Sequence, residues 1–117
     1  MGTFRHIKPG ELSEERRDAI LVDVREPDEV ILGNIDGAIN LPLSKGFDDC
    51  EELAADKKII VYCKTGVRGD EAAEILAAKG FEVASLDGGY EEYKKYMDEV
   101  RANFLGSGEE SDMSLFI

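Results

Sequence analysis

Cys63 ends the apolar run Ile59-Ile60-Val61-Tyr62 and opens the segment Cys63-Lys64-Thr65-Gly66-Val67-Arg68, which leads into a helical stretch from Gly69 to Lys79. A cysteine placed where a strand gives way to a helix has the setting of a nucleophile. Parallel sheets take ligands beyond the carboxyl ends of their strands, and a helix start there adds free backbone N–H groups and a partial positive charge. Those groups, with Lys64 and Arg68 as basic neighbours, favour thiolate over thiol. If Lys64 to Arg68 curls around the sulfur, its successive N–H groups form a nest for negative charge. Gly66 permits the tight backbone path, because glycine takes positive φ without steric cost. Two covalent chemistries fit a cysteine cradled in this way. One stores a sulfur atom as a persulfide; the other stores a phosphoryl group as a thiophosphate and needs a wider ring of donors.

The elements that must hold this loop are legible as short apolar runs alternating with helical patterns, which predicts an α/β fold with a mostly parallel sheet. Thr3 to Ile7 reads as a short first strand, and Pro9 to Arg17 as a helix with an early proline and acidic residues. Ala19 to Val24 is a strongly apolar strand. Glu26 to Leu32 reads as a short helix stopped by Gly33, and Gly37 to Leu41 as a brief strand ending at Pro42. Ser44 to Ala55 has Phe47, Cys50, Leu53 and Ala54 at three- and four-residue spacing, which predicts another helix. Ile59 to Tyr62 reads as a central strand buried on both faces. Val83 to Leu86 is the last strand and Asp87-Gly88-Gly89 a turn. Tyr90 to Leu105 then forms a final helix whose stripe of Tyr93, Tyr96, Met97, Val100 and Phe104 is expected to pack in the core. Residues 1–105 are expected to form one domain and residues 106–117 an acidic flexible tail. Its apolar end, Met113 to Ile117, is expected to fold back or stay unstructured, with a docking peptide as the alternative.

Length and charge narrow the function. With 117 residues there is room for a sheet covered by helices but not for a second core. Acidic residues outnumber basic ones 26 to 14, a formal charge of −12, which repels phosphate backbones and anionic lipid. Neither nucleic acid nor a membrane surface is therefore an expected partner. The basic residues around Cys63 stand out on this background and select a small anion. No apolar run approaches the ~20 residues of a membrane span, and the N-terminus lacks the apolar core of a secretory signal, so a cytoplasmic location is expected.

Other reactive residues are fewer. Cys50 and Cys63 are the only cysteines and form neither a disulfide framework nor a metal motif, so no metal or cofactor is expected. Cys50 reads as a small apolar core residue, with a resolving thiol as the alternative. His6, the single histidine, reads as a strand-end residue rather than a catalytic base. Asp23-Val24-Arg25 brings charge to the end of a second strand, where Arg25 could help hold an anion or could pair structurally with Asp23. Glu29 reads as a loop-bracing carboxylate.

Four separated segments in this order resemble the rhodanese family of sulfurtransferases, over about Leu12 to Tyr96. They are Leu21-Val22-Asp23-Val24-Arg25, Glu29 with Gly33 to Pro42, Val61 to Arg68, and Leu86-Asp87-Gly88-Gly89-Tyr90. The resemblance implies a small five-stranded sheet flanked by helices on both faces. It also implies Cys63 as a sulfur-carrying nucleophile, with Lys64, Thr65, Gly66, Val67 and Arg68 as its substrate-binding loop. Related phosphatases and arsenate reductases have a loop one residue longer, which would put arginine at the position of Gly69. The shorter loop favours sulfur over phosphate. Asn34, Asp36, Gly69 and Tyr93 depart from residues common in the family, and Gly69 removes a serine hydroxyl.

The implied mechanism is ping-pong, with a small anionic sulfur donor such as thiosulfate loading Cys63 and a thiophilic acceptor unloading it. Cyanide would serve in the laboratory, and a thiol or sulfur-acceptor protein in the cell. Arg68 and Lys64 would attract the donor, with Arg25 as a further candidate and a hydroxyl hydrogen bond from Thr65. The alternative is a non-catalytic rhodanese-like module for binding or redox sensing, and after it a cysteine phosphatase or arsenate reductase.

Overall fold

The computed structural model describes residues 3–48, 50, 52–53 and 56–106, the last two without their side chains. Five parallel strands form one sheet: β1 (Arg5–Ile7), β2 (Ala19–Asp23), β3 (Ile39–Asn40), β4 (Lys58–Tyr62) and β5 (Val83–Leu86), in the order β1-β5-β4-β2-β3. Among the described residues four α-helices accompany them: α1 (Pro9–Glu15), α2 (Pro27–Ile31) and α3 (Val67–Ala78) lie between strands, and α4 (Gly89–Gly106) follows β5. The sequence expectation of an α/β fold with a five-stranded sheet covered on both faces is what the chain forms.

β4 lies at the centre, paired along Ile59–Val61 with β5 and along its whole length with β2. Because strand side chains alternate between faces, Ile59 and Val61 join Val22, Ala72, Ala73 and Leu76 beneath α3. Ile60 and Tyr62 point the other way, into a cluster with Ile7, Leu12, Leu21, Ala84 and Leu86 that Tyr90 and Tyr93 help cover. Residues Ile59 to Tyr62 are fully buried, which is why this strand is a continuous apolar run rather than an alternating one. The register Val22↔Val61 and Asp23↔Tyr62 brings the ends of β2 and β4 level, so the chain leaving each emerges on the same rim.

Two expectations fail. The described residues of Ser44 to Ala55 are not α-helical: a 3₁₀ turn at Leu43–Lys45 closes on Gly46, and the Leu53 N–H donates to the Cys50 carbonyl at 3.2 Å in another three-residue turn. Phe47 and Leu53 are buried as their spacing required, but Gly46 opposes helix propagation and short turns reach the same core. Asp49, Glu51, Ala54 and Ala55 lie outside the described residues. The stripe on α4 is the other correction. Tyr93 packs against the core, whereas Tyr96, Met97 and Val100 are 37–41% exposed and Phe104 is 79% exposed. An 18-residue helix is about 27 Å long, and the apolar side chains of its second half are left open to solvent. The expectations for residues 107–117 of the tail fall outside the described residues, and α4 takes in Gly106.

Candidate active site

Cys63 follows β4 directly and is 1% exposed. The Gly66 N–H donates to its Sγ at 3.0 Å and the Gly69 N–H at 3.1 Å, so the loop does curl around the sulfur. The helix begins earlier than its sequence pattern implied, at Val67 instead of Gly69. Val67 and Arg68 are therefore first-turn residues, and helix geometry leaves the N–H groups of Val67, Arg68 and Gly69 without intrahelical acceptors. The first turn closes where Asp70 N–H meets the Gly66 carbonyl at 2.9 Å. Gly66 holds φ +112° at the turn into the helix, a conformation that would strain any side chain. Two amide dipoles and the positive end of α3 thus converge on one sulfur, an arrangement that stabilises negative charge there.

The carbonyl side of the loop is anchored by α4. The Tyr90 N–H donates to the Cys63 carbonyl at 2.7 Å and the Glu91 N–H to the Lys64 carbonyl at 3.0 Å. The N-terminal N–H groups of α4 are thereby satisfied by the backbone they hold in place. A Cβ on Gly89 would lie 2.5 Å from the Cys63 carbonyl oxygen and 2.7 Å from that of Lys64, so the approach requires glycine. The sequence reads Asp87-Gly88-Gly89 as a turn and Leu86 to Tyr90 as a family segment, with no part in the site. The signal was present as two glycines immediately before a helix.

The basic residues are less available than their positions implied. Arg68 makes a bidentate ion pair with Glu29, Nη1 to Oε1 at 2.6 Å and Nη2 to Oε2 at 2.9 Å. The Arg68 guanidinium, with help from the Glu26 backbone, holds the Glu29 carboxyl at about 2, well below its usual range. Glu29 is a bracing carboxylate as expected, and what it braces is α2 against the start of α3. Its role also explains the capping box of α2, in which the Glu29 side chain accepts the Glu26 N–H at 3.1 Å.

Arg25 adopts the structural pairing. It is 4% exposed; its Nε and Nη2 reach the two Asp23 oxygens at 2.9 and 2.7 Å, and Nη2 also donates to the Gly33 carbonyl at 2.7 Å. Its guanidinium lies 4.6 Å from the Tyr90 ring centroid and 5.8 Å from that of Tyr62. Burial pushes the Tyr62 phenol up, and its oxygen accepts the Ile35 N–H at 2.9 Å. Lys64 is 58% exposed, 3.9 Å from Glu91.

A cleft of about 200 Å³ opens beside the loop, lined by Arg25, Glu29, Leu32, Gly33, Lys64, Tyr90, Glu91 and Lys94. A wider groove lined by Glu14, Glu15, Arg17, Asp18 and Lys58 lies at the opposite end of β4, away from the cysteine. Its charges neutralise one another, as in the 2.7 Å ion pair of Lys58 with Glu15.

The ordered segments and their three-dimensional placement agree with one family model, the rhodanese-like domain, which matches residues 8–96. The chain belongs to the rhodanese family. It is 39% identical over 93 residues to the thiosulfate sulfurtransferase GlpE of Ectopseudomonas mendocina, covering 78% of this chain and 85% of that protein. It is 41% identical over 87 residues to the Bacillus subtilis protein YqhL, covering 74% of this chain and 67% of the relative. Among solved structures, a rhodanese-related protein from Thermoplasma volcanium superposes with a TM-score of 0.74 at 33% identity, covering 80% of this chain and 93% of the other.

The rhodanese frame gives the departures a structural meaning. A Cβ on Gly69 would sit 3.3 Å from the Ser85 hydroxyl, which is fully buried at the end of β5. Ser85 donates to Asp70 Oδ1 at 2.7 Å, and the same oxygen lies 3.0 Å from His6 Nε2. A buried hydroxyl from β5 thus takes up the room behind Gly69. His6 is a strand residue facing Asp70, outside the cleft lining. Asn34 turns its amide to the Val30 carbonyl at 3.2 Å, and Tyr93 stacks on Tyr90 with ring centroids 6.4 Å apart. Among the described residues no group of histidine, cysteine and carboxylate side chains is arranged to hold a metal ion, and no helix is long and apolar enough to cross a membrane.

Proposed function

We propose that the protein is a thiosulfate sulfurtransferase-type enzyme that carries sulfane sulfur as a persulfide on Cys63. The observation that carries the proposal is the pair of amide donors, Gly66 N–H and Gly69 N–H, aimed at Cys63 Sγ from a loop of sulfur-transferring length. The likeness to GlpE sulfurtransferases supports it.

In the first half-reaction the Cys63 thiolate attacks the outer sulfur of thiosulfate. The sulfur–sulfur bond of the donor breaks, sulfite leaves with the bonding electron pair, and Cys63–S–S⁻ remains. The terminal sulfur then lies within the ring of loop amides, where the N–H groups of Val67 and Arg68 add to those already directed at Sγ. In the second half-reaction a nucleophile attacks that terminal sulfur and the Cys63 thiolate leaves. Cyanide gives thiocyanate; a thiolate gives a persulfide. The site needs no general base for either step, because nucleophile and leaving group are both anions, and the loop amides stabilise the charge on Cys63.

Lys64 and Lys94 supply exposed positive charge at the cleft for the incoming dianion. Arg68 contributes through its backbone N–H and through the field of its Glu29-paired guanidinium. Arg25 holds the floor of the cleft, and Thr65 lies in the loop between Lys64 and Gly66. Initial rates measured over a grid of thiosulfate and cyanide concentrations test the scheme. Parallel double-reciprocal lines are expected, and intersecting lines would contradict a free persulfide intermediate.

A further inference from the structure

Three exposed aliphatic residues neighbour in sequence the Glu29–Arg68 ion pair beside the Cys63 loop, and they are out of keeping with a small-anion site. Ile31 is 82% exposed, Leu32 89% and Val67 74%; among the described large apolar side chains only Phe104 is comparably open. Their placement is fixed by the bidentate Glu29–Arg68 pair, which straps α2 to the first turn of α3. Ile31 and Leu32 follow Glu29 at the end of α2, and Val67 precedes Arg68 at the start of α3. Leu32 also forms part of the cleft wall, together with Tyr90 and Lys94. Single exposed apolar residues are ordinary, but three of them next to one ion pair beside the Cys63 loop mark a contact surface.

Thiosulfate and cyanide gain nothing from aliphatic side chains, and a cleft of about 200 Å³ with Leu32 but neither Ile31 nor Val67 in its wall encloses either of them. A ligand that covers all three residues therefore extends beyond the cleft and is apolar where it does so. Cys63 is 1% exposed, so a sulfur that reaches it must be carried on a projecting segment. Lys64 and Lys94 beside the opening attract a thiolate on that segment.

We propose that Ile31, Leu32 and Val67 form the docking rim for a sulfur-acceptor protein whose reactive cysteine lies on a projecting segment flanked by apolar side chains. This rests on the persulfide reading of Cys63. The acceptor thiolate attacks the outer sulfur of Cys63–S–S⁻, the bond from that sulfur to Sγ breaks, and Cys63 regains its thiolate with the electron pair. The acceptor leaves as a persulfide, and no oxidant or reductant is consumed.

Two synthetic peptides test the assignment: acetyl-Leu-Phe-Cys-Leu-Ala-amide and acetyl-Ser-Asn-Cys-Ser-Ala-amide. The full chain is loaded with thiosulfate, freed of excess donor and mixed with each peptide at equal thiolate concentration, and loss of the added sulfur is followed by intact mass. The apolar peptide is expected to discharge Cys63 about tenfold faster than the polar one, as burial of one or two aliphatic contacts implies. In the Ile31→Gln/Leu32→Gln double variant most of that ratio is expected to disappear. Ile31→Gln alone should lower the ratio while leaving discharge to cyanide as in the parent. Equal rates with the two peptides, or a ratio retained in the double variant, would overturn the docking rim. Failure of the parent chain to load with thiosulfate would overturn the persulfide reading itself and the rim with it.

Discussion

The Tyr90 N–H donates to the Cys63 carbonyl oxygen at 2.7 Å, so the helix that follows the last strand holds the backbone of Cys63. Cys63 is consequently fixed from two directions: the N–H groups of Gly66 and Gly69 at the start of α3 point at its sulfur, and the Tyr90 N–H of α4 at its carbonyl. The intervening loop needs no large side chain for support. Its geometry depends instead on close backbone contact at Gly89.

Gly89→Ala tests that contact. The new methyl group would collide with the Cys63 and Lys64 carbonyls at a φ of +64°. A loss of about 1–3 kcal/mol in urea-unfolding stability is expected, with a larger fractional loss of thiosulfate loading in the protein that remains folded. A variant as stable and as active as the parent would show that α4 does not clamp the loop.

Glu29→Gln tests the strap between α2 and α3. The Glu29 carboxyl is held at about 2 against an ordinary value of 4.5, so its contribution to stability is complete above 4.5 and is lost as pH falls towards 2. The pair is partly exposed to water and screened accordingly, so the variant is expected to be about 1 kcal/mol less stable than the parent at neutral pH. That difference should shrink between pH 4.5 and 2. A gap that stays constant through this window would mean that the ion pair is not its source.

Arg25→Ala distinguishes a structural cation from a donor-binding one. Removing a guanidinium that is 4% exposed leaves the buried Asp23 carboxylate without its counter-charge, keeping the backbone N–H of residue 25, and takes a donor from the Gly33 carbonyl. The expected cost is about 3–5 kcal/mol in unfolding free energy. A stable variant with a raised KM for thiosulfate alone would assign Arg25 to the donor instead.

Gly69 and Ser85 should be coupled. A methyl group at position 69 meets the Ser85 hydroxyl at 3.3 Å, so Gly69→Ala is expected to be tolerated better in a Ser85→Ala background than in the parent. A double-mutant cycle on unfolding free energies should give an interaction of about 0.5–1 kcal/mol favouring the pair. Additive effects would show that the hydroxyl does not occupy the space behind Gly69.

Much of this architecture was legible in the chain, for identifiable reasons. Ile59 to Tyr62 could only be a strand buried on both faces, and Cys63 at its end could only emerge on the rim where a parallel sheet gathers ligands. Gly66 announced the turn that its φ of +112° confirms. Ser44 to Ala55 misled because the same three- and four-residue spacing that marks a helix also arises when short turns drop Phe47 and Leu53 into one core. The α4 stripe misled because periodicity shows which face is apolar and not whether anything covers it. The commitments of Arg68 to Glu29 and of Arg25 to Asp23 differ in kind. The second joins residues two apart and was open to reading, whereas the first joins residues 39 apart and required the fold.

The most direct test of the central claim is the intact mass of the reduced protein after incubation with thiosulfate, beside the Cys63→Ser variant. A gain of one sulfur atom is expected in the parent, its loss on adding cyanide with release of thiocyanate, and no gain in the variant. An unchanged mass in the parent, or an equal gain in Cys63→Ser, would contradict that claim.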